Sequence, residues 1–399
     1  MLSPTENALL AHINRDSLIS DTEALIAARS ENPGDVEEEA VRVLTTMCER
    51  IGATVILDEV QPRRKNLHAS IGPEDAPTIL FLGHSDVVPA GDGWSADPFT
   101  PRTGDGVIIG RGATDMKGGL AAVVAAMDAV AKSGLPIRLE LLCTVDEEDQ
   151  ALGVDKALDA LQGRSLLACV VAEPTNLDIV VGCRGATNFQ LEIVGKSAHA
   201  GKPEDGASSI YAASAVVDTI QRMHTAARLA HQDPLLGGPS WNVGTISGGT
   251  GTSMVPQSTT ITVDRRTMPG EKPGDILSGL LADIDSELKT RNIANADVLS
   301  VTGQILLDMP GFLTPDTADL PQIAQGAIKA LGKDSPLTGW TAACEGGFIA
   351  QATGAPTIIL GPGDINKQAH QPDESVAIDD LCLAAQAFAV IAARLIHTP

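Results

Sequence analysis

The chain is poor in basic residues and has no long apolar run. Its 399 residues include 28 Lys and Arg against 51 Asp and Glu, a formal net charge of −23 at neutral pH. A charge this negative repels phosphate backbones and anionic lipid surfaces, and no basic run offsets it locally. We therefore expect neither nucleic acid nor a membrane as a partner, and interpret the acidity as a solvated surface.

Signals for export and for membrane insertion are also lacking. Residues 1–30 contain no basic region followed by a continuous apolar stretch, and no later run reaches the length of a membrane span. The sequence is therefore expected to be cytoplasmic. The six cysteines are scattered without close pairing, which favours buried thiols over a disulfide framework or a zinc knuckle.

Short apolar runs alternate with helical patterns in the first and last parts of the chain. The apolar share of 43% is enough for a sizeable core, and the length suggests about two or three domains. Helical patterns are found at 36–51, 118–134, 323–332 and 379–396, and strand-like runs at 53–57, 78–83, 106–110, 138–144, 168–172 and 356–360. This alternation predicts an α/β catalytic domain with a mixed, mostly parallel, doubly wound sheet, formed by residues 1–182 and 304–399.

Residues 183–303 have a different pattern. The strand-like segments 187–195 and 258–266 alternate polar with apolar residues, and each is followed by a helical segment, at 208–223 and 274–290. Alternation of period two is typical of antiparallel strands with one wet face. Ending near residues 297–303, this region suits the β-α-β-β-α-β order of a ferredoxin-like α+β domain, which we predict to be inserted in the catalytic domain.

Polar residues follow the predicted strands of the catalytic domain, at the edge where doubly wound sheets bind ligands. They are His84, Asp86, Asp115, Glu147, Glu148, Glu173 and His370. Each alone has an ordinary alternative, such as a hydrogen-bonded histidine or a solvated helix start. Together, two histidines and several carboxylates without a thiol are the ligand set of a hard-to-borderline divalent metal, which suits zinc with cobalt or manganese as substitutes.

The spacing of these residues also suits hydrolytic chemistry. In the His-x-Asp segment, Asp86 can hold the second ring nitrogen of His84. Of the adjacent Glu147 and Glu148, one can bind a metal while its neighbour accepts a proton from water. A carboxylate such as Asp115 can bridge two ions roughly 3.5–4 Å apart.

The motifs taken together resemble a known family. GHSD, GRGATDMKGG, DEE, AEPT, SAHAG, DRRTMPG and GPGDINKQAHQPDE occur in the order and spacing of the di-zinc aminoacylase, carboxypeptidase and acetylornithine deacetylase family, over nearly the whole chain. The resemblance implies two divalent ions, with Asp115 as the bridge. It assigns His84 and Glu173 to one ion, and Glu148 and His370 to the other.

The resemblance also implies the catalytic roles. Asp86 would orient His84, and Glu147 would be the general base that activates the water and then protonates the leaving amine. The peptide bond after Asp115 is usually cis in this family. The inserted domain would serve as a lid and dimerisation domain.

Substrate contacts are implied in the inserted domain. By the resemblance, His199 stabilises the oxyanion across a homodimer interface, and Arg266 holds the α-carboxylate of the substrate, for which a guanidinium fork is well shaped. The ordinary alternatives are a surface turn histidine and an ion pair of Arg266 with Asp264. Ser253 stands where the family commonly has Asn, so the usual amide contact to substrate is not expected.

The segment 344–374 resembles the acetylornithine deacetylase branch. There Glu345, expected near the mouth of the site, could pair with a cationic ω-amine of the substrate; it could equally cap a helix or pair with an arginine. Gly346 departs from the branch pattern and is a further candidate for substrate contact.

The resemblance implies metal-dependent hydrolysis of the amide of a small N-acyl-L-amino acid, with N-acetylornithine as the first candidate. The alternatives are a succinyl-diaminopimelate desuccinylase, a broad aminoacylase or a dipeptidase. A catalytically silent metal-binding protein of the same fold is the non-enzyme alternative. The presence of Glu147 argues against it, because a binding protein has no chemical need for a base.

Overall fold

The computed structural model describes residues 1–34, 36–230 and 232–396, and the chain forms two compact units. Unit 1 comprises Met1–Gly182, Leu313–Gly339 and Cys344–Pro399, and unit 2 comprises Cys183–Phe312 and Trp340–Ala343. The sequence placed the return of the chain to the first domain at residue 304. That position falls inside a strand of unit 2, which continues to Met309 because it stays paired with the neighbouring strand.

The helices include all six that the sequence predicts, and α6 and α7 belong to unit 2. In chain order they are α1 (Pro4–Leu10), α2 (Arg15–Ala27), α3 (Glu38–Arg50), α4 (Gly118–Ser133), α5 (Leu152–Leu161), α6 (Ser209–Leu229), α7 (Pro273–Thr290), α8 (Asp319–Ala330), α9 (Gly346–Thr353) and α10 (Ile378–Leu395). No helix in the described ranges is both long enough and apolar enough to cross a membrane.

The strands are more numerous than the sequence predicts. In chain order they are β1 (Thr54–Gln61), β2 (Arg64–Ile71), β3 (Thr78–His84), β4 (Arg102–Gly104), β5 (Val107–Ile109), β6 (Arg138–Thr144), β7 (Ala168–Val171), β8 (Ile179–Cys183), β9 (Gly185–Val194), β10 (Ala198–His199), β11 (Ser240–Gly248), β12 (Met254–Val255), β13 (Ser258–Thr267), β14 (Ser300–Met309), β15 (Phe312–Leu313), β16 (Leu337–Trp340), β17 (Thr357–Ile359) and β18 (Ser375–Ala377).

The central sheet of unit 1 has the order β1-β2-β6-β3-β7-β17-β8-β15, with β16 also paired to β8. The middle strands β6, β3, β7 and β17 are parallel, whereas β1, β2 and β8 join antiparallel. Every residue of β3 is buried, as expected for a strand covered by helices on both faces. One cover is α10, whose Phe388 ring packs against Phe81 at 5.3 Å. The predicted mixed α/β fold is confirmed.

One predicted strand does not join this sheet. The segment 106–110 contributes β5, which pairs with β4 and β18 in a separate antiparallel sheet. β5 has three residues and only Ile108 is fully buried. Such a short, half-exposed strand does not suit the covered interior of the main sheet.

Unit 2 contains an antiparallel sheet of order β11-β13-β9-β14. Alternate residues of β13 are buried, and they form a core with the apolar faces of α6 and α7, including Val216, Ile261 and Ile284. The chain order of these elements is β-α-β-β-α-β, as the sequence predicts. No segment was named from the sequence for the strand between α6 and β13, and β11 occupies that place.

Candidate metal centre

Four neighbouring parallel strands end at one place in unit 1. His84 is the last residue of β3, Glu147 and Glu148 follow β6, Glu173 follows β7, and His370 lies in the loop after β17. The carboxyl ends of parallel strands share one edge of a sheet, so these side chains converge although they are far apart in sequence.

Asp115 reaches the same place from an irregular turn, 113–117, that leads into α4. The peptide bond between Asp115 and Met116 is cis, as the resemblance implies. At the start of α4, Gly119 permits a close approach to β7, because a Cβ there would lie 2.1 Å from the carbonyl oxygen of Ala172. The turn is thereby brought beside the residue that precedes Glu173.

The side chains pair as the resemblance implies for two ions. His84 Nε2 lies 3.3 Å from Asp115 Oδ1 and 3.5 Å from Glu173 Oε1. His370 Nε2 lies 3.3 Å from Asp115 Oδ2 and 3.3 Å from Glu148 Oε1. Each oxygen of Asp115 thus faces a different histidine, and each histidine has a second carboxylate beside it.

These distances fit bound zinc. Two ligands of one tetrahedral zinc ion, each about 2.0–2.1 Å from it, lie about 3.3 Å from each other. The Oε1 atom of Glu148 is buried without a well-formed hydrogen bond, although His370 Nε2 is nearby, and a metal would satisfy it. The ligand atoms of His84, Asp115 and Glu148 all lie within 4.8 Å of one another.

Asp86 is buried beside His84, and its carboxylate holds the backbone of Glu147 and Glu148. His84 Nδ1 lies 3.0 Å from the backbone carbonyl oxygen of Asp86 and 3.5 Å from its carboxylate. The carboxylate itself accepts the backbone N–H of Glu147 on Oδ1, at 3.2 Å, and that of Glu148 on Oδ2, at 3.0 Å. We take the shorter contact as the hydrogen bond of the ring, so the Asp86 backbone orients His84 while its side chain fixes the glutamate pair.

Glu147 and Glu148 point to different histidines. Glu147 Oε2 lies 4.0 Å from His84 Nε2, whereas Glu148 approaches His370. Both precede α5 and are largely buried, so neither is a solvated helix start. In the described ranges the carboxylate of Glu147 accepts no hydrogen bond, which leaves it free to take a proton.

The histidines and the bridge stabilise one another as ions. Burial alone would lower the pKa of His84, but its contacts with Asp115, Asp86 and Glu173 raise that pKa well above the usual value. Asp115 and Glu148 raise the pKa of His370 to about 10. Burial would raise the pKa of Asp115, yet the two histidines hold it below its usual range.

The three glutamates of the cluster have raised pKa values because they are buried close together. Burial, with Asp115 adding to it, raises the pKa of Glu173 to about 7. Burial likewise raises the pKa of Glu147 well above its usual value, and that of Glu148 to a smaller degree. Without cations the cluster therefore holds protons, and metal binding would displace them.

Glu345 is buried beside the end of β6. Its side chain is buried, its Oε2 accepts a hydrogen bond of 2.6 Å from the hydroxyl of Thr144, and its Oε1 has no partner in the described part of the chain. Burial raises its pKa to about 8, and Asp86 and Glu173 add to the effect. Within the described residues, the Glu345 side chain neither caps α9 nor forms an ion pair with an arginine, so those two alternatives are not observed. Gly346 is buried in the first turn of α9.

Three of the predicted site residues belong to unit 2. His199 is exposed on β10, where its Nδ1 accepts the N–H of Gly201 at 2.9 Å. Ser253 is also exposed, and its carbonyl oxygen accepts the N–H of Ala200 at 3.0 Å, which ties the two segments together. On β13, the Arg266 guanidinium contacts Asp264 at 3.1 Å, the ordinary ion pair considered above, and the side chain is one-third exposed.

Sequence reasoning missed a set of buried residues that support the ligands. Glu374 accepts the backbone N–H groups of Gly112, Thr114 and Asp115 and is paired with Arg111 at 2.6 Å. The motif that contains His370 also contains Glu374, but its partners lie about 260 residues away. Asn32, whose side chain donates to Asp86 Oδ2 at 2.9 Å, was missed as well, because nothing in its local sequence marks it.

Comparison with known proteins identifies the family. The peptidase family M20/M25/M40 matches residues 80–394. The chain belongs to this family. It is therefore a hydrolase, as the resemblance implied, and the catalytically silent alternative is not supported.

Two relatives show the type of hydrolase. The chain is 32% identical to a succinyl-diaminopimelate desuccinylase of Psychrobacter arcticus over 346 residues, covering 83% of this chain and 81% of the relative. It is 31% identical to an acetylornithine deacetylase of Klebsiella pneumoniae over 357 residues, covering 88% of both. This M20 protein is a metallohydrolase of the type that includes both activities.

A solved structure shares the fold. The aminopeptidase PepT from Bacillus cereus superposes with a TM-score of 0.75 at 22% identity, over 96% of this chain and 99% of the other. At this identity the likeness supports the M20 fold and carries no information on substrate.

Proposed function

We propose that this protein removes the acyl group from small N-acyl-L-amino acids, with N-acetylornithine as the best candidate substrate. The observation that carries the proposal is the division of the Asp115 carboxylate between His84 and His370, at 3.3 Å each. A carboxylate shared in this way suits a bridge between two cations. Glu147 lies beside His84, at 4.0 Å, and is not needed as a ligand of either cation.

We assign one cation to His84 and Glu173, the other to Glu148 and His370, and the bridge to Asp115. The donors are imidazole and carboxylate without thiolate, so zinc is the expected metal, with cobalt or manganese as substitutes. Bound divalent cations would supply Lewis acidity that favours ionisation of a nearby water and polarises the amide carbonyl.

In the proposed reaction, Glu147 moves the proton. Its carboxylate takes a proton from the attacking water as the water oxygen bonds to the acyl carbon. The same proton is then given to the amide nitrogen as the carbon–nitrogen bond breaks, which releases the carboxylic acid and the free amine. A buried carboxyl with a raised pKa is suited to both halves of this transfer.

We assign the remaining contacts to unit 2. Arg266 would exchange its ion pair with Asp264 for the α-carboxylate of the substrate, and His199 would donate to the developing oxyanion of a neighbouring subunit. Ser253 would give at most a hydroxyl contact. Among the described residues the edge strand β11 pairs on one side only, and it exposes Ile246. An edge of this kind is open to pairing with a second copy, which supports a homodimer.

Glu345 favours a substrate with a cationic side chain. A buried carboxyl with one unpartnered oxygen is costly to ionise unless a cation arrives, and an ω-ammonium group would supply that cation. We therefore place the amine of N-acetylornithine at Glu345, with Gly346 beside it.

Desuccinylation of N-succinyl-diaminopimelate is the second candidate. Burial lowers the pKa of Arg184, and the positive charge of Arg266 lowers it further, so the two guanidinium groups lie close together in unit 2. A pair of arginines favours a substrate with more than one carboxylate. The guanidinium of Arg184 is, however, already bonded to the carbonyl oxygens of Thr341 and Gly238.

A substrate panel tests the proposal. Wild type and Glu345→Gln are assayed, with and without chelator, on N-acetylornithine, N-acetylnorvaline and N-succinyl-diaminopimelate. Norvaline matches ornithine but lacks the amine. We expect chelator-sensitive hydrolysis, a preference of wild type for N-acetylornithine over N-acetylnorvaline, and loss of that preference in the variant. A preference for the succinyl substrate selects the second candidate, and no hydrolysis of any N-acyl amino acid contradicts both.

A further inference from the structure

Asn32 joins two buried carboxylates in unit 1. Its side-chain nitrogen donates to Asp86 Oδ2 and to Asp146 Oδ1, both at 2.9 Å, and only 4% of the residue is exposed. An amide nitrogen carries two hydrogens, so both are used. Since ionised carboxylates only accept hydrogen bonds, no other orientation of the amide suits this position.

The first of these carboxylates, Asp86, is bonded directly to the backbone of the glutamate pair. Besides Asn32, Asp86 accepts the backbone N–H groups of Glu147 and Glu148, one on each oxygen. Any rotation of the Asp86 carboxylate would move both backbone groups. Asn32 opposes such a rotation with a side-chain hydrogen bond of 2.9 Å to Oδ2, whereas His84 Nδ1 is bonded to the backbone carbonyl and lies 3.5 Å from Oδ1.

The second carboxylate, Asp146, is held in place by an ion pair. Asp146 immediately precedes the glutamate pair, and its Oδ1 is 2.9 Å from Nη2 of the largely buried Arg64. Arg64 is in turn paired with the buried Glu37. Arg64 therefore offsets part of the negative charge of Asp146 and Glu37, and Asn32, a neutral donor, links Asp146 to Asp86.

We propose that Asn32 is a positioning residue, which sets Glu147 relative to Glu148 by fixing the Asp86 carboxylate between the two backbone N–H groups. Asn32 contacts neither substrate nor cation in this role. The proposal rests on the proposed function in one respect, since Glu147 is taken as the base. Its effect on Glu148 does not depend on which substrate is hydrolysed.

Two substitutions separate hydrogen bonding from packing. Asn32→Asp keeps the volume but replaces both donors with an acceptor that faces two carboxylates. Asn32→Ala removes volume and donors but adds no repulsion. If Asn32 acts as a donor, the aspartate variant is the more damaged; if it only fills space, the alanine variant is, because it leaves a cavity.

Asn66, on β2, offers a matched control because its side chain also bonds the chain segment that contains the glutamate pair. It is 2% exposed, its Oδ1 accepts the N–H of Val145, and its side-chain nitrogen donates to the carbonyl oxygen of Gly153. It therefore holds the chain on either side of the glutamate pair, yet it does not contact Asp86. Asn66→Asp and Asn66→Ala report what general loosening of the segment does.

The four variants are compared with wild type by melting temperature, by zinc affinity in competition with a chelator, and by kcat and KM. We expect Asn32→Asp to lower kcat by roughly 10²-fold with KM little changed, and to weaken the binding of one zinc ion. The loss of kcat and the loss of zinc affinity should both be larger than in Asn32→Ala. The Asn66 variants should lower the melting temperature but keep kcat and zinc affinity near wild type.

The proposal is overturned if Asn32→Ala is more damaged than Asn32→Asp, or if the Asn66 variants lose kcat and zinc affinity to the same degree. Should Asn32→Asp fail to fold, the comparison of Asn32→Ala with Asn66→Ala decides in the same way. Should wild type hydrolyse no N-acyl amino acid, the proposed function fails, and the zinc affinities still test the effect of Asn32 on Glu148.

Discussion

Glu374 accepts the backbone N–H of Asp115 at 2.9 Å, so a residue four positions after His370 fixes the turn that carries the bridging carboxylate. The same Glu374 oxygen also accepts the N–H of Thr114 at 2.8 Å. The two cation sites thus depend on one buried carboxylate that is not itself assigned as a ligand.

This relationship predicts the effect of Glu374→Gln. A glutamine can accept on one side only, and its NH₂ group would face backbone N–H donors on the other. We expect the affinity for zinc to fall by roughly 10–100-fold, as measured by competition with a chelator. Glu140→Gln is the control, because Glu140, on β6, is a buried carboxylate paired with Arg138 and Arg164. An equal loss of zinc affinity in the control would mean that Glu374 acts only through overall stability.

The adjacent glutamates should separate in their effects. Glu147→Gln keeps the size and shape of the side chain but removes the base, so both metals should stay bound while turnover falls by roughly 10²–10⁴-fold or more. Glu148→Gln should instead weaken one metal. Metal analysis and kinetics on both variants check this, and the reverse pattern would move the assignment by one residue.

The metal-free protein should lose stability as the pH rises. The pKa of Glu173 is raised from 4.5 to about 7, so the folded state holds a proton that the unfolded state has already lost, and stability falls between those values. The pKa of His370 is raised from 6.5 to about 10. Its stabilising contribution is complete below 6.5 and is lost as the pH rises through 10.

Glu173 lowers the stability of the metal-free protein between about pH 4.5 and pH 7, and His370 lowers it between about pH 6.5 and pH 10, so stability falls across the whole range from about pH 5 to pH 9. Zinc replaces the protons, so the gap in melting temperature between the zinc-loaded and the chelator-treated protein should widen as the pH rises. Scanning calorimetry at several pH values measures it. A gap that narrows from pH 6 to pH 8 would show that these protons are not the ones that zinc displaces.

A mixed dimer tests whether His199 acts on a neighbouring subunit. His199→Ala and Glu147→Gln should each be nearly inactive, since an oxyanion donor is worth about 10²–10³ in turnover. In a dimer of one variant with the other, one site combines an intact Glu147 with an intact His199. Random subunit exchange should recover roughly a quarter of wild-type activity. Proven heterodimers without activity would show that His199 acts in its own subunit or has no role.

The sequence predicted that these polar side chains converge, because each strand delivers its polar residue to one shared edge. His84, Glu148 and Glu173 needed only a correct strand end, and the parallel central strands brought those ends together. The support around them was not predictable in this way. Asn32 lies 54 residues from Asp86, and no periodicity relates them.

The missed elements have physical reasons of their own. β11 contains glycine and polar residues and is mostly exposed, so it lacks the apolar alternation that marks a strand. β5 has the apolar pattern but is too short for the central sheet. The predicted return of the chain at residue 304 falls inside β14, an exposed edge strand in which the consecutive apolar residues 305–307 interrupt the alternation of period two.

Zinc titration of the chelator-treated protein, with release of ornithine from N-acetylornithine followed at each step, tests the two-cation site most directly. We expect no activity without metal and a plateau at two equivalents per chain. Asp115→Ala should bind fewer than two ions and remain inactive. Full activity in the metal-free protein, or an Asp115→Ala protein with two bound ions and full turnover, would contradict the assignment of Asp115 as the bridge between two catalytic cations.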